Sequence, residues 1–333
     1  MKVISVKVLI VGGGGIGERH LCCLLATGRA HVSICEAREE RLEFLRAKYQ
    51  IQETYTDFFD IPLSQYQGVI IATPAHLHIP MAMECAKVGV PFLVEKPLSV
   101  DLNGVDQLIA LVDEKGIQAG VAYMRRNLPS YKKLREHAES GLIGEVKMGR
   151  FNSSQNYRKY RPDYKEIYYA KEDQGGGCIL DAASHFINLA QWYFGEVENL
   201  VALSDRLVFE GVEAEDSAII IMRFAAGSLV EVFCNQFQQP DISEIELIGT
   251  RGNLKYVNEG GRHRIYLCQD DSNNWQELAS FEVEGDAYYM GQAQNFLSVL
   301  EGNEEFPTTL QEGKRTLELA LAAKKWGSDS AKK

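Results

Sequence analysis

Apolar positions in the first third of the chain come in short runs separated by mixed, helix-compatible stretches. Val6 to Val11 is such a run, broken only by Lys7, and it leads into Gly12-Gly13-Gly14-Gly15-Ile16-Gly17. A helix is expected from Glu18 to Ala26, a strand over Val32 to Cys35 ending at Glu36, and a charged helix from Glu39 to Tyr49. Gly68 to Ala72 is apolar throughout, as a parallel strand buried on both faces reads. Thr73-Pro74 closes it, and a helix from about Ile79 to Lys87 follows. Strand Val90–Val94, helix Asp101–Lys115 and strand Ile117–Ala122 continue the alternation. The pattern predicts a doubly wound parallel sheet with helices on both faces over residues 1–122.

Past Gly144 the pattern changes. Val146–Phe151, Leu200–Asp205, Ser217–Phe224, Ser228–Phe233, Ser243–Ile248 and Asn253–Val257 read as strands, several with inside–outside alternation. Gly227, Gly249, Gly252 and Gly260-Gly261 punctuate them. Few helices intervene, so residues 123–333 are expected to form an α+β domain on an open, mainly antiparallel sheet. One helix is expected over Ile179–Phe194, and two more near Gly291–Leu300 and Gln311–Lys325. A return of these last helices to the first domain stays open. The closing Ser-Asp-Ser-Ala-Lys-Lys is expected to fray.

Composition narrows the class. A chain of 333 residues suits two domains, and 45% hydrophobic residues supply full cores. The net charge of −11, with no dense basic tract, argues against a nucleic-acid partner. No apolar run reaches the length of a membrane span, and with a strand beginning at Val6 no signal peptide is expected. The seven cysteines form no C-x-x-C pair, which suggests reduced core thiols in the cytoplasm. Neither they nor the seven histidines show a metal-ligand spacing, so no metal is expected.

The glycine turn carries the first chemistry. Gly12, Gly14 and Gly17 satisfy G-x-G-x-x-G between a strand and a helix, where a pyrophosphate would meet the helix N-terminus. Glu36 at the end of the second strand suits the adenosine ribose hydroxyls and would repel a 2′-phosphate. NAD is therefore favoured, while Arg38 and Arg41 keep NADP open.

Further on, Lys96 in Glu95-Lys96-Pro97 follows a strand of the parallel sheet, where ligands of such sheets bind. Its ammonium could steady an alkoxide as a hydride departs. Glu95 is either its ion-pair partner or part of a domain contact. Gly175-Gly176-Gly177 precedes Asp181 and His185, four apart and hence on one helix face. A carboxylate beside an imidazole can orient it as a base for a hydroxyl proton. The segment 157–165, rich in Tyr, Arg and Lys, offers Tyr157, Arg161 and Tyr164 to a sugar ring or its charged group. Arg126 is a further candidate for the substrate side.

On these motifs the chain resembles the glucose–fructose oxidoreductase/inositol dehydrogenase (Gfo/Idh/MocA) family. The likeness spans nearly the whole length. It rests on Gly12–Gly17 with Arg19-His20, Ala72-Thr73-Pro74 with His78, Glu95-Lys96-Pro97, Gly175-Gly176-Gly177 with Asp181 and His185, and Gly249-Thr250-Arg251-Gly252. The resemblance implies a Rossmann domain and NAD(P) contacts at Gly12, Gly14, Gly15, Ile16, Gly17, Glu36, Arg38, Thr73, Pro74, His78, Glu95 and Lys96. It also implies catalytic roles for Lys96, Asp181 and His185, and a dimer or tetramer built through the second sheet. Asn188 stands where members usually carry aspartate, Ala183 where they often carry glycine, and Ala75 where asparagine often follows Thr-Pro. Asn188 is kept as a substrate contact. The expected reaction is reversible oxidation of a secondary alcohol on a sugar, sugar acid, nucleotide sugar or cyclitol. The alternatives are a glycosidase using NAD transiently, a non-catalytic cofactor-binding regulator and, more distantly, a bilin or imine reductase.

Overall fold

The computed structural model describes residues 5–269 and 272–330. It divides into two compact units, one running to Asn127 and taking in Asp286–Lys314, the other made of Leu128–Gly285 and the chain from Arg315.

The first unit alternates β1 (Val6–Val11), α1 (Gly15–Ala26), β2 (Ala30–Cys35), α2 (Glu39–Tyr49), β3 (Thr54–Tyr55), β4 (Gly68–Ile71), α3 (His78–Val88), β5 (Phe92–Val94), α4 (Val105–Lys115) and β6 (Ala119–Val121). Its six-stranded sheet has the order β3-β2-β1-β4-β5-β6, with every strand pair parallel. The order reverses between β1 and β4, the switch point at whose carboxyl ends ligands of such sheets bind. β1 and β4 are apolar on both faces because helices cover both, and Val8, Leu9, Ile10, Val69, Ile70 and Ile71 are all fully buried. α4 starts later than the sequence pattern suggests. Asp101 Oδ1 accepts the Asn103 N–H at 2.8 Å, and Gly104 is left-handed at φ 76°, so 101–104 is a turn and the helix begins at Val105.

The second unit opens with α5 (Pro129–Glu139) and β7 (Val146–Asn156), followed by the single turn α6 (Tyr157–Tyr160). A π-helical turn, Ile179–Ala183, then leads into α7 (Ser184–Phe194). The strands β8 (Val197–Asp205), β9 (Ser217–Phe224), β10 (Leu229–Asn235), β11 (Phe237–Gly249), β12 (Gly252–Glu259), β13 (Arg262–Gln269) and β14 (Gln276–Glu282) follow. The eight-stranded sheet has the order β14-β13-β12-β11-β7-β10-β9-β8, antiparallel except for the β7–β10 pair. One face is buried, with Phe151, Ile220, Val232, Ile245 and Leu254 at 0–1% exposure.

α8 (Ala287–Leu300) belongs to the first unit, where Phe296 and Leu297 join its core. α9 (Leu310–Ser330) begins in the first unit and continues in the second. The last three residues of the tail expected to fray lie outside the described residues. Among the described residues no helix is long and apolar enough to cross a membrane.

Candidate active site

The turn between β1 and α1 is shaped by contact with itself. Gly12 leaves the strand at φ 98°, and a Cβ on Gly17 would stand 1.8 Å from the Gly12 carbonyl oxygen. Only hydrogen fits there. A Cβ on Gly14 or Gly15 would instead meet nothing within 4 Å, so that side of the turn is open. α1 begins with Gly14 as N-cap and no capping side chain. The N–H groups of Gly15, Ile16 and Gly17 therefore have no partner within the helix and stand ready for an anion.

Glu36 follows β2 and is 7% exposed. Its Oε2 accepts the Gly13 N–H at 2.8 Å, and its Oε1 accepts the Arg38 N–H at 3.0 Å and Nε at 2.8 Å. Burial pushes this carboxyl up, but the Arg38 guanidinium and the two backbone N–H groups outweigh it and hold it below its ordinary value. Arg41 is spent on the turn itself, donating to Gly13 O at 2.7 Å and to Glu18 at 2.5 Å. Open glycines, free helix amides and a buried anion at the second strand together fit a dinucleotide.

Thr73 and Pro74 follow β4, and Glu95-Lys96-Pro97 follows β5. His78 and Glu95, expected as cofactor contacts, both turn inward. The His78 ring is 1% exposed, with Nε2 2.9 Å from Thr73 O and Nδ1 2.9 Å from Pro97 O. Full burial lowers its pKa, against the two carbonyls that favour the charged ring. Glu95, 8% exposed, meets His20 Nε2 at 2.7 Å through Oε1. Every residue of 92–99 is buried except Lys96. Arg126 is also turned in, 1% exposed, and donates to Pro307 O at 2.9 Å and Glu312 Oε1 at 2.6 Å.

In the second unit the triple glycine makes room for protein groups. A Cβ on Gly176 would lie 2.3 Å from Tyr169 O, and one on Gly177 2.4 Å from Glu215 Oε1. Glu215 Oε1 accepts the Ile179 N–H at 3.0 Å, which caps the π-helical turn. Burial raises the Glu215 pKa, with Lys324 opposing it. The π turn widens the helix where one regular helix was expected, and it carries Asp181 one turn ahead of His185. Asp181 is the one residue of 175–190 that is not buried, and His185 is 7% exposed. Asp181 Oδ1 accepts the Tyr168 hydroxyl at 2.9 Å. Nothing in the sequence singled out Tyr168, because an aromatic in an irregular segment has no period to place it.

The neighbouring substrate candidates are largely committed. Tyr157 is 6% exposed and stacks on Tyr169 at 4.2 Å, and Tyr164, 9% exposed, packs on Phe209 at 4.8 Å. Arg161 Nε pairs with Asp163 at 3.2 Å. Asn188 is 1% exposed and donates to Thr316 Oγ1 at 3.1 Å. Among the described residues no group of three or more His, Cys, Asp or Glu could hold a metal ion.

Two family models match the chain. One, an oxidoreductase family with an NAD-binding Rossmann fold, covers residues 6–123; the other, a GFO/IDH/MocA C-terminal domain, covers residues 131–255. Myo-inositol 2-dehydrogenase of Thermotoga maritima is 25% identical over 328 residues, 96% of this chain and 95% of that protein. Levoglucosan dehydrogenase, solved with NADH and levoglucosan, shares the fold at TM-score 0.86 and 20% identity over 98% of each chain. The WlbA dehydrogenase of Bordetella pertussis, solved with NADH and UDP-GlcNAcA, does so at TM-score 0.81 and 23% identity, over 98% of this chain and 97% of that one.

Proposed function

The chain belongs to the GFO/IDH/MocA oxidoreductase family and is an NAD-binding dehydrogenase; from that premise we propose that it oxidises a secondary alcohol of an uncharged sugar or cyclitol, reversibly. The observation that carries the reading is selective exposure. Lys96 alone escapes burial in 92–99, and Asp181 alone in 175–190, each at a position where this chemistry needs a charged group.

Nicotinamide, when bound, accepts the hydride. The open side of the glycine turn and the first-turn amides of α1 would hold its pyrophosphate, and Glu36 the adenosine ribose. Lys96 places a positive charge on the substrate oxygen as it gains anionic character. His185 removes the hydroxyl proton, and Asp181 orients the imidazole or a substrate hydroxyl. Asp181 is itself held by Tyr168.

An uncharged substrate is supported by the segment 157–165. Its Tyr157 and Tyr164 rings are buried in their own cluster, and Arg161 already faces Asp163. The similar proteins named for inositol and levoglucosan agree with this choice, whereas WlbA was solved with the charged UDP-GlcNAcA, so the segment 157–165 carries it. The seven free cysteines support a reducing, cytoplasmic setting. The exposed apolar side chains of β8 and β9 support pairing with a second copy of the chain.

The test is a panel of cyclitols, neutral sugars, uronates and nucleotide sugars, with NADH absorbance as the readout. Neutral polyols should be turned over in preference to their uronate counterparts. His185→Ala should lower kcat about 10²- to 10⁴-fold with NAD affinity retained. Near-normal turnover in that variant would remove His185 from the proton transfer.

A further inference from the structure

We propose that His20 and His78 are positioning residues for Lys96, two buried imidazoles that fix the Glu95-Lys96-Pro97 turn from either side. The inference rests on the reading of Lys96 as the group that steadies the substrate oxygen.

On one side stands His20, in α1. The ring is 0% exposed, lies edge-on to Tyr289 at 5.4 Å and meets Glu95 Oε1 at 2.7 Å. The other carboxylate oxygen, Oε2, accepts the Lys96 N–H at 3.1 Å. A carboxylate this deeply buried is stable only when its oxygens are satisfied, so removing His20 disturbs Glu95 and, through it, the Lys96 backbone. On the other side stands His78, at the start of α3. Its ring lies between the carbonyl of Thr73, after β4, and that of Pro97, after β5, and in its neutral form donates to one of them. The turn is thus tied both to the helix that begins at the phosphate-binding glycines and to the neighbouring strand end.

A lysine needs such a frame. Its side chain has four rotatable carbons, so its Cα must be fixed if the ammonium is to be delivered to one place. Misplacement of a reacting group by about 1 Å can cost about 10²-fold in rate. At 0% and 1% exposure neither ring can itself touch a ligand. Any effect they have on hydride transfer is therefore indirect.

The experiment compares wild type with His20→Leu, His78→Leu and the conservative His20→Gln, which keeps a donor, and with Glu95→Gln should a leucine variant fail to fold. Hydrogen exchange over 92–99, kcat and the Kd for NAD are measured on each full-length protein. The proposal expects faster exchange at 95–98 in the leucine variants, a kcat lower by about 10- to 100-fold, an unchanged Kd for NAD, and recovery in His20→Gln. Unchanged exchange and kcat would overturn it. So would a loss of NAD affinity in step with kcat, which would mark a general loss of the fold. If wild type turned over no alcohol in the panel, the dehydrogenase reading would fail instead, and the exchange measurement would still decide whether the histidines hold the turn.

Discussion

Glu36 shows how one side chain can serve both the fold and cofactor choice. Its carboxylate accepts from the turn at Gly13 and holds Arg38 folded back on itself, while the pair stays at the surface end of β2. Kept ionised by Arg38, the acid suits ribose hydroxyls and opposes a 2′-phosphate. Glu36→Ala removes the anion and releases a guanidinium that can meet that phosphate. A hydrogen bond to a charged group is worth about 1.5–3 kcal/mol. The ratio of kcat/KM for NAD over NADP should therefore fall about 10- to 100-fold, and an unchanged ratio would place cofactor choice elsewhere. At this scale the residue types were legible in the sequence, but the directions of the side chains were not. Glu36 could be read because the strand pattern fixed its position. His78, Glu95, Arg126, Tyr157 and Tyr164 could not be read as inward-facing. Polar and aromatic groups turn inward only when a distant carbonyl or ring is there to receive them, and no local pattern records that.

Among elements, the π-helical turn at Ile179–Ala183 matters most. The triple glycine before it announces a close approach in the sequence, but what approaches is the chain's own Glu215 and the carbonyls of 168–171. Gly177 has φ 98° and a Cβ site 2.4 Å from the Glu215 carboxylate, so Gly177→Ala must both strain the backbone and displace the group that caps the π turn. Left-handed strain of about 1–2 kcal/mol and overpacking of about 1–3 kcal/mol together suggest a loss of about 2–5 kcal/mol. Thermal unfolding would read it as a fall of several degrees, and a wild-type melting temperature would mean the carboxylate moves aside freely. Elements that bury a continuous face were legible. β1, β4 and β9 are apolar where they must be. α5, β13 and β14 were not anticipated. α5 buries only Ser130, Tyr131 and Leu134 among charged neighbours, so its apolar stripe is too short to stand out, and β14 is a sheet edge without a buried residue. The π turn was invisible because one extra residue in a helical turn leaves composition unchanged.

At the scale of the whole molecule, the described residues leave one face of the eight-stranded sheet uncovered at β8 and β9. Val201 and Ile221 are cross-strand partners there, as are Leu203 and Ile219, at 39–62% exposure. Met148 on β7 is 45% exposed, and Arg150 on the same strand pairs with Glu231 at 3.6 Å and Glu246 at 4.0 Å. The apolar pairs lie at the β8 edge of the sheet and the ion-paired arginine on β7 at its middle; in a two-fold pair the same patch of each copy forms the contact. Large apolar patches on a surface often mark contacts, and a stable pair buries about 800 Å² per partner. The sequence showed this face only as alternation, since Ile and Leu on the outer positions of β8 and β9 look like any half-buried strand until their exposure is seen. If this face is the subunit contact, Leu203→Arg places an unpaired guanidinium of each copy in the interface and opposes its burial. Light scattering on the eluting protein should then show the mass falling to that of one chain, with the thermal transition retained because Leu203 is already 62% exposed. An oligomer that survives the substitution would mean that another surface joins the subunits.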